Sequence, residues 1–284
     1  TELLLTVLNA KGLLDFSYNE LSKTVDDFTK LQKYHEWGAN LPYMVSGANS
    51  LPQKQVMDWV SKRYYSFNSI IRALNNQSQG KVDNTKLPVL NFGNENSYKG
   101  AIVVGGGPSV VKHSDAIHQY LINNPEIVII HASSRNAMSF TGVSNDQFFC
   151  LVGNEGHRLE DIFGDVSNMK GTCILPPYPR KMGTYIPKKL ENKAFQLKDV
   201  SFTDQLKDTH TALAIETANT FGIHKLHIVG YDGYGEDAMD NKAQELFGEN
   251  EYLFEKAKDS GLELISLTAT SYNKIKKESI FATI

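Results

Sequence analysis

Ser109 closes the stretch AIVVGGGPS, Ala101–Ser109, two residues beyond three consecutive glycines. A hydroxyl and backbone N–H groups placed around Gly105, Gly106 and Gly107 suit an anionic ligand, because glycine admits positive φ and lets a phosphate approach the main chain. Pro108 suits a first helical turn, and Ser109 is placed to cap that helix or to donate its hydroxyl to a ligand. Asp232 lies in a second glycine turn, Gly230–Gly235, suited to a sugar hydroxyl or a metal-bound phosphate. Ser133, Ser134, Arg135 and Asn136 offer contacts to ribose, phosphate or a sugar acid, with Arg135 presenting a planar fork to an anion. Asn154 and Glu155 suit hydrogen bonds to a base or sugar, and His157 suits a general base. Each has a plainer counterpart: a βα turn with no ligand, a surface ion pair at Arg135, a turn-stabilising Asp232, a hydrogen-bonding loop residue at His157. His210 reads equally as the neighbour of a helix cap and as a catalyst, and Ser271, Tyr272 and Asn273 as polar contacts. The glycine spacing matches neither GxGxxG nor GxxxxGK[ST], so neither an NAD site nor a P-loop follows from it.

Positioning these residues requires an alternation of strands and helices from Lys99 onward. Apolar runs at 101–104, 126–131, 148–152, 172–175, 225–229 and 262–267 read as strands buried on both faces. Helices are expected from Val110 to about Asn123, over Thr211–Phe221, and from about Lys242 to Ser260 with a break at Gly248. Residues 178–208 show no clear period and read as a mobile cover over a site. The fold class is therefore α/β, a doubly wound, mostly parallel Rossmann-like sheet, preceded by a small all-helical region. Ligands of such sheets bind beyond the carboxyl ends of the strands. The segments 105–109, 131–135, 153–157, 230–235 and 268–273 fall there, each polar or glycine-rich against apolar strands.

Residues 1–76 read as helical. Leu3, Leu4, Val7 and Leu8 share a face, Gly12 fits a stop, and Ser17–Glu20 forms a capping box ahead of Val25, Phe28 and Leu31. Pro42 argues against a regular helix at 40–44, and Ser50–Gln53 caps another helix before Val56, Trp59 and Val60. Tyr64, Tyr65 and Phe67 read as packing aromatics. Residues 77–98, rich in Asn, Gln, Ser and Gly, read as a linker with one short strand at Val89–Phe92; residues 99–284 are the sheet domain.

The 284 residues carry a net charge of -3, with 41% hydrophobic and 21% charged residues, so no footprint for nucleic acid or an anionic membrane is present. No apolar run is long enough to span a bilayer. No leader pattern is apparent, and Thr1 followed at once by helical pattern suggests a piece of a longer polypeptide in a cytoplasmic setting. Cys150 and Cys173 read as buried thiols, and no spacing suggests a metal site.

Two resemblances add to this. ELLLTVLNAKG with LPYMVSGANSLPQKQVMDWVSKRYYS resembles the C-terminal end of HMG-CoA lyase-like aldolases, a family that includes the 4-hydroxy-2-oxovalerate aldolases. It implies an aldolase-type (β/α)₈ barrel preceding Thr1, which would hold the family's metal-binding Asp and His-x-His pair. His224 and His227 do not replace that pair, so aldol chemistry is not assigned to these residues. AIVVGGGPSV with HTALAIETANTFGIHKLHIVGYDGY resembles the family of bacterial sialyltransferases and motility accessory factors that glycosylate flagellin. It implies that Gly105, Gly107, Pro108, Ser109 and Asp232, with Asn154, surround the nucleotide of a nucleotide-activated sugar.

The combined expectation is a bacterial nucleotide- or nucleotide-sugar-binding module of an aldolase-containing protein, glycosyltransferase-like and serving surface-sugar biosynthesis. Gly105–Ser109, Ser133, Arg135 and Asn154 would bind the anionic small molecule; His157 and Asp232 would assist the acceptor. The rival is a scaffold that positions or oligomerises the upstream aldolase or lyase, which leaves a homo-oligomer open.

Overall fold

The computed structural model describes residues 2–35, 41–51, 54, 56–57, 60, 70–71, 74–75, 78–79, 86–91, 98–180, 184–234 and 241–284. The chain divides into two units, Thr1–Ile71 and Arg72–Ile284.

In the first unit, α1 (Glu2–Ala10), α2 (Tyr18–His35) and α3 (Leu41–Ala48) follow the apolar spacing of the sequence. Gly12 stops α1 at φ 68°, where a side chain would be strained. Ser17 Oγ accepts the Glu20 N–H at 3.4 Å, the cap that the sequence suggested for α2. Pro42 departs from expectation. It sits inside the first turn of α3, where its missing N–H has no helical partner to lose. Val56, Val60 and Ile70 are helical and buried. The expectations for Trp37–Asn40, Pro52, Gln53, Trp59, Tyr64, Tyr65 and Phe67 fall outside the described residues.

In the second unit an eight-stranded sheet runs in the order β5-β4-β3-β2-β1-β6-β7-β8, with every pairing parallel. Its strands are β1 (Gly100–Val104), β2 (Ile127–His131), β3 (Gln147–Cys150), β4 (Thr172–Leu175), β5 (Ala194–Gln196), β6 (Lys225–Val229), β7 (Glu263–Ser266) and β8 (Lys276–Lys277). The α/β Rossmann-like expectation is met because β1, β2 and β3 are buried along their whole length. Alternate residues feed two cores. Ala101, Val103, Val128 and Ile130 pack with α7 (His210–Thr220) and α8 (Asn241–Asp259) on one face. Ile102, Val104, Ile127 and Ile129 pack with α4 (Ser109–Lys112) and α5 (Ser114–Asn123) on the other. A further helix, α6 (Glu155–Phe163), packs Leu159 with Phe149, Leu151 and Leu175.

Several local expectations are corrected. The helix expected from Val110 to Asn123 is divided at His113, which leaves helical geometry at φ −115°, ψ 22°. Gly153–His157 is not wholly a turn, since Glu155 and His157 already belong to α6. Residues 178–208 are not a detached cover over their described part: Leu190, Ala194, Leu197 and Val200 are buried, with a 3-10 turn at Lys188–Lys193 leading into β5. The α8 helix runs unbroken through Gly248. Among the described residues of the expected linker strand, Val89 pairs in a single parallel bridge to Gln196 at the sheet edge. Cys150 and Cys173 are buried free thiols. No helix among the described residues is long and apolar enough to cross a membrane.

Candidate functional site

The strand order reverses between β1 and β6, and the loops leaving their carboxyl ends meet there. Gly105 N–H donates to Val229 O and Gly107 N–H to Gly230 O, both at 2.8 Å. Ser109 N–H donates to Asp232 Oδ2 at 2.9 Å, and the Ser109 hydroxyl donates to Oδ1 of the same carboxylate. Thr268 Oγ1 lies 3.0 Å from Ser109 Oγ and accepts Gly230 N–H at 3.3 Å. The amides expected to face an anion are thus engaged within the chain, and Asp232 occupies the position that such an anion would take. Gly105, Gly106 and Gly107 are also absent from the positive-φ residues. The first and third are needed for close approach: a Cβ on Gly105 would stand 2.5 Å from Gly230 O, and one on Gly107 2.6 Å from it. Gly106 is freer. Its N–H has no acceptor among the described residues, and a Cβ there would meet Ser133 Oγ at 3.2 Å. Pro108 is exposed beside it.

The loop after β2 leans over this turn. Ser133 N–H bonds Val104 O at 3.2 Å, and Ser133 Oγ accepts Arg135 N–H at 3.3 Å. Asn136 is buried and braces the turn, donating to Gly105 O at 3.2 Å and Gly107 O at 3.0 Å, so it is not open to a ligand. Arg135 is exposed. Its Nη1 reaches Gly106 O at 3.4 Å, and it forms no ion pair among the described residues, unlike the surface pair weighed for it.

Ser134 points the other way. Its N–H donates to Glu155 Oε1 at 2.8 Å and its hydroxyl donates to the same oxygen. Glu155 opens α6, is only 4% exposed, and pairs its other oxygen with Arg158 Nη1 at 2.8 Å. His210 Nε2, at the start of α7, stands 3.6 Å from that oxygen. Burial alone would raise the Glu155 pKa; His210, Arg158 and Ser134 outweigh it and bring it down to about 2. Asn154, the residue preceding α6, is buried beside it. Glu155 tethers the β2 loop, α6 and α7 together, a role beyond the base or sugar contact read from its sequence. Its position at the head of a helix, in the polar stretch beyond an apolar strand, was the available signal.

The two expected catalytic residues lie in different clusters. His157 stacks on Tyr185, with ring centroids 3.7 Å apart and planes at 6°, and its Nδ1 is 3.5 Å from Glu160 Oε2. Tyr185 OH donates to Glu160 Oε1 at 3.1 Å, while Tyr185 N–H bonds Gly153 O at 2.9 Å. Asp232 instead closes the β1–β6 turn. Ser271 N–H donates to Asp232 O at 2.9 Å, and Tyr272 is a core residue stacked on Phe247. Among the described residues no group of three or more His, Cys, Asp and Glu side chains is placed to hold a metal ion.

No family model and no curated protein matches the chain. Among solved structures it is similar to "Structure of MAf glycosyltransferase from Magnetospirillum magneticum AMB-1", with 14% identity and a TM-score of 0.48. The match covers 81% of this chain and 42% of that one, so the chain spans less than half of that protein's length. None of these comparisons supports the aldolase-tail resemblance.

Proposed function

We propose that the second unit binds an anionic small molecule of the nucleotide or nucleotide-sugar class at the β1–β6 reversal, as a glycosyltransferase-like module. The observation that carries this reading is Arg135, an exposed guanidinium without a carboxylate partner among the described residues, leaning over the open Gly106 N–H and Ser133. A guanidinium, an amide and a hydroxyl together match the oxygens of a phosphate. In this reading Gly105, Gly107, Ser109 and Asp232 hold the turn's shape, and contact falls to Gly106, Ser133 and Arg135, with Asn154 near the sugar or base.

Calorimetric titration with CMP, UDP and GDP, free and sugar-linked, tests it. One of them is expected to bind, and Arg135→Ala to weaken that binding by roughly 10- to 100-fold, as the loss of a charge-assisted contact does. No binding of any of them at millimolar concentration overturns it.

The scaffold reading draws on Asp232. A turn whose amides are already satisfied by a carboxylate of the same chain is complete without a ligand. On that reading none of these nucleotides binds, with or without Arg135→Ala.

A further inference from the structure

A cavity of about 960 Å³ lies at the opposite edge of the sheet, beside Gln147 and Thr172, the first residues of β3 and β4. Four aromatic rings contribute to its lining. Phe148 and Phe221 are buried with centroids 4.7 Å apart, while Tyr98 and Phe195 are half-buried and pack against the same core. Tyr98 is held in place: its ring stands edge-on to Phe221 at 5.5 Å, and its hydroxyl donates to Asp146 Oδ2 at 2.7 Å. Burial and then that carboxylate raise the Tyr98 pKa, so the hydroxyl keeps its proton and remains the donor. Polar side chains complete the lining. Ser144, Asp146, Lys170 and Asn192 are exposed there. Among the described residues Lys170 and Asn192 have no side-chain partner, and Asp146 keeps Oδ1 unengaged. Lys193, the other cation of the lining, is committed to Met169 O at 3.1 Å.

We propose that this cavity is a second binding site, separate from the β1–β6 turn, for the pyranose ring of a neutral sugar. Its uncommitted groups are mixed in kind: a carboxylate oxygen that accepts, an ammonium that donates, and an amide and a hydroxyl that do both. Sugar hydroxyls, which donate and accept, match such a set, donating to Asp146 Oδ1 and accepting from Lys170 and Asn192. The aromatic side chains take the C–H face of the ring. The uncommitted charges balance, one against one. A phosphate or carboxylate ligand would set its oxygens against Asp146, and an amine would meet Lys170. A wholly apolar ligand would strip water from both and return no hydrogen bond. The volume lies within the range of small-molecule sites and leaves room for a second ring. The proposal does not depend on the nucleotide reading. Gly106, Ser133 and Arg135 lie beyond the carboxyl ends of the strands, whereas this cavity borders their amino ends, so it holds a glycan without offering it to that turn.

The test is saturation-transfer NMR and calorimetry on the full chain. The probes are the methyl glycosides of glucose, galactose, mannose and N-acetylglucosamine, with maltose and cellobiose, at millimolar concentration. At least one is expected to bind. Lys170→Ala and Asp146→Ala are each expected to weaken that binding by about 10-fold, as the loss of a hydrogen bond to a charged group does. Lys112→Ala, which removes an exposed lysine of α4 outside the cavity lining, is expected to leave it unchanged. Asp146→Ala also removes the partner of Tyr98, so it carries weight only where its thermal melt matches wild type. Lys170→Ala loses no contact among the described residues and decides the matter alone where Asp146→Ala does not fold. Binding of none of the sugars overturns the proposal, and so does binding that Lys170→Ala leaves at wild-type strength. Binding of inorganic phosphate or benzoate that Lys170→Ala abolishes, with no sugar bound, overturns the neutral-sugar assignment. Each of these results leaves nucleotide binding at Arg135 to its own titration.

Discussion

Gly105 and Gly107 exclude a side chain for a reason internal to the chain: the backbone of the β6 turn lies within 2.6 Å of where their Cβ atoms would stand. A phosphate-binding turn excludes side chains for the ligand's sake, and the two causes separate by mutation. Gly107→Ala is expected to destabilise the second unit by about 1–3 kcal/mol, since Gly230 O and the Asp232 carboxylate must both move. Gly106→Ala, whose new methyl meets only the Ser133 side chain, is expected to change stability by less than about 1 kcal/mol. Urea denaturation of the two variants checks this; equal losses would contradict it. The same contrast explains what could be read of the site beforehand. The residue types pointed to loops that the sheet brings together, Gly106, Ser133 and Arg135 meeting at the strand ends. Their partners were not legible, because Asp232 lies more than a hundred positions from Ser109 in the chain and only the sheet order brings its carboxylate to that amide.

At the scale of elements, period and burial made most strands and helices readable, and the failures have local causes. The β5 strand has three residues and β8 two, too short to show a period. Pro42 and Gly248 were read as breakers, yet a first-turn proline loses no bond and an exposed helical glycine lowers stability without ending the helix. Gly248 is the direct case. It lies inside α8 with nothing within 4 Å of a built Cβ. Gly248→Ala is therefore expected to stabilise the protein by about 0.5–1 kcal/mol, raising Tm by roughly 1–3 °C in a thermal melt. A lowered Tm would mean that the helix relies on the glycine's freedom there.

For the whole molecule, acid sensitivity follows from two histidines and one carboxylate. Burial holds His131 at a pKa of about 4, opposed by its hydrogen bond to Gln147; burial and then Lys225 hold His227 at about 4. In the unfolded chain both titrate near 6.5, so the unfolded state binds more protons between those values and stability falls as pH drops from 6.5 to about 4. Fully buried His131 contributes roughly 3 kcal/mol of that fall. Glu155 extends the loss, since its contribution is complete above about 4.5 and disappears as pH falls through about 2. Urea midpoints are expected to decline steadily from pH 7 to pH 4; a flat profile over that range would show that both imidazoles reach water. The central place of β1 bears on how the chain is made. It is the first strand of the sheet to leave the ribosome, it pairs at once with β2, and its other edge must wait for β6, Ala101 finally meeting Leu226. Throughout that interval Ser109 lacks its carboxylate and an apolar strand edge stays open, so a nascent chain stalled before Gly230 would carry a half-built sheet that a holdase chaperone recognises.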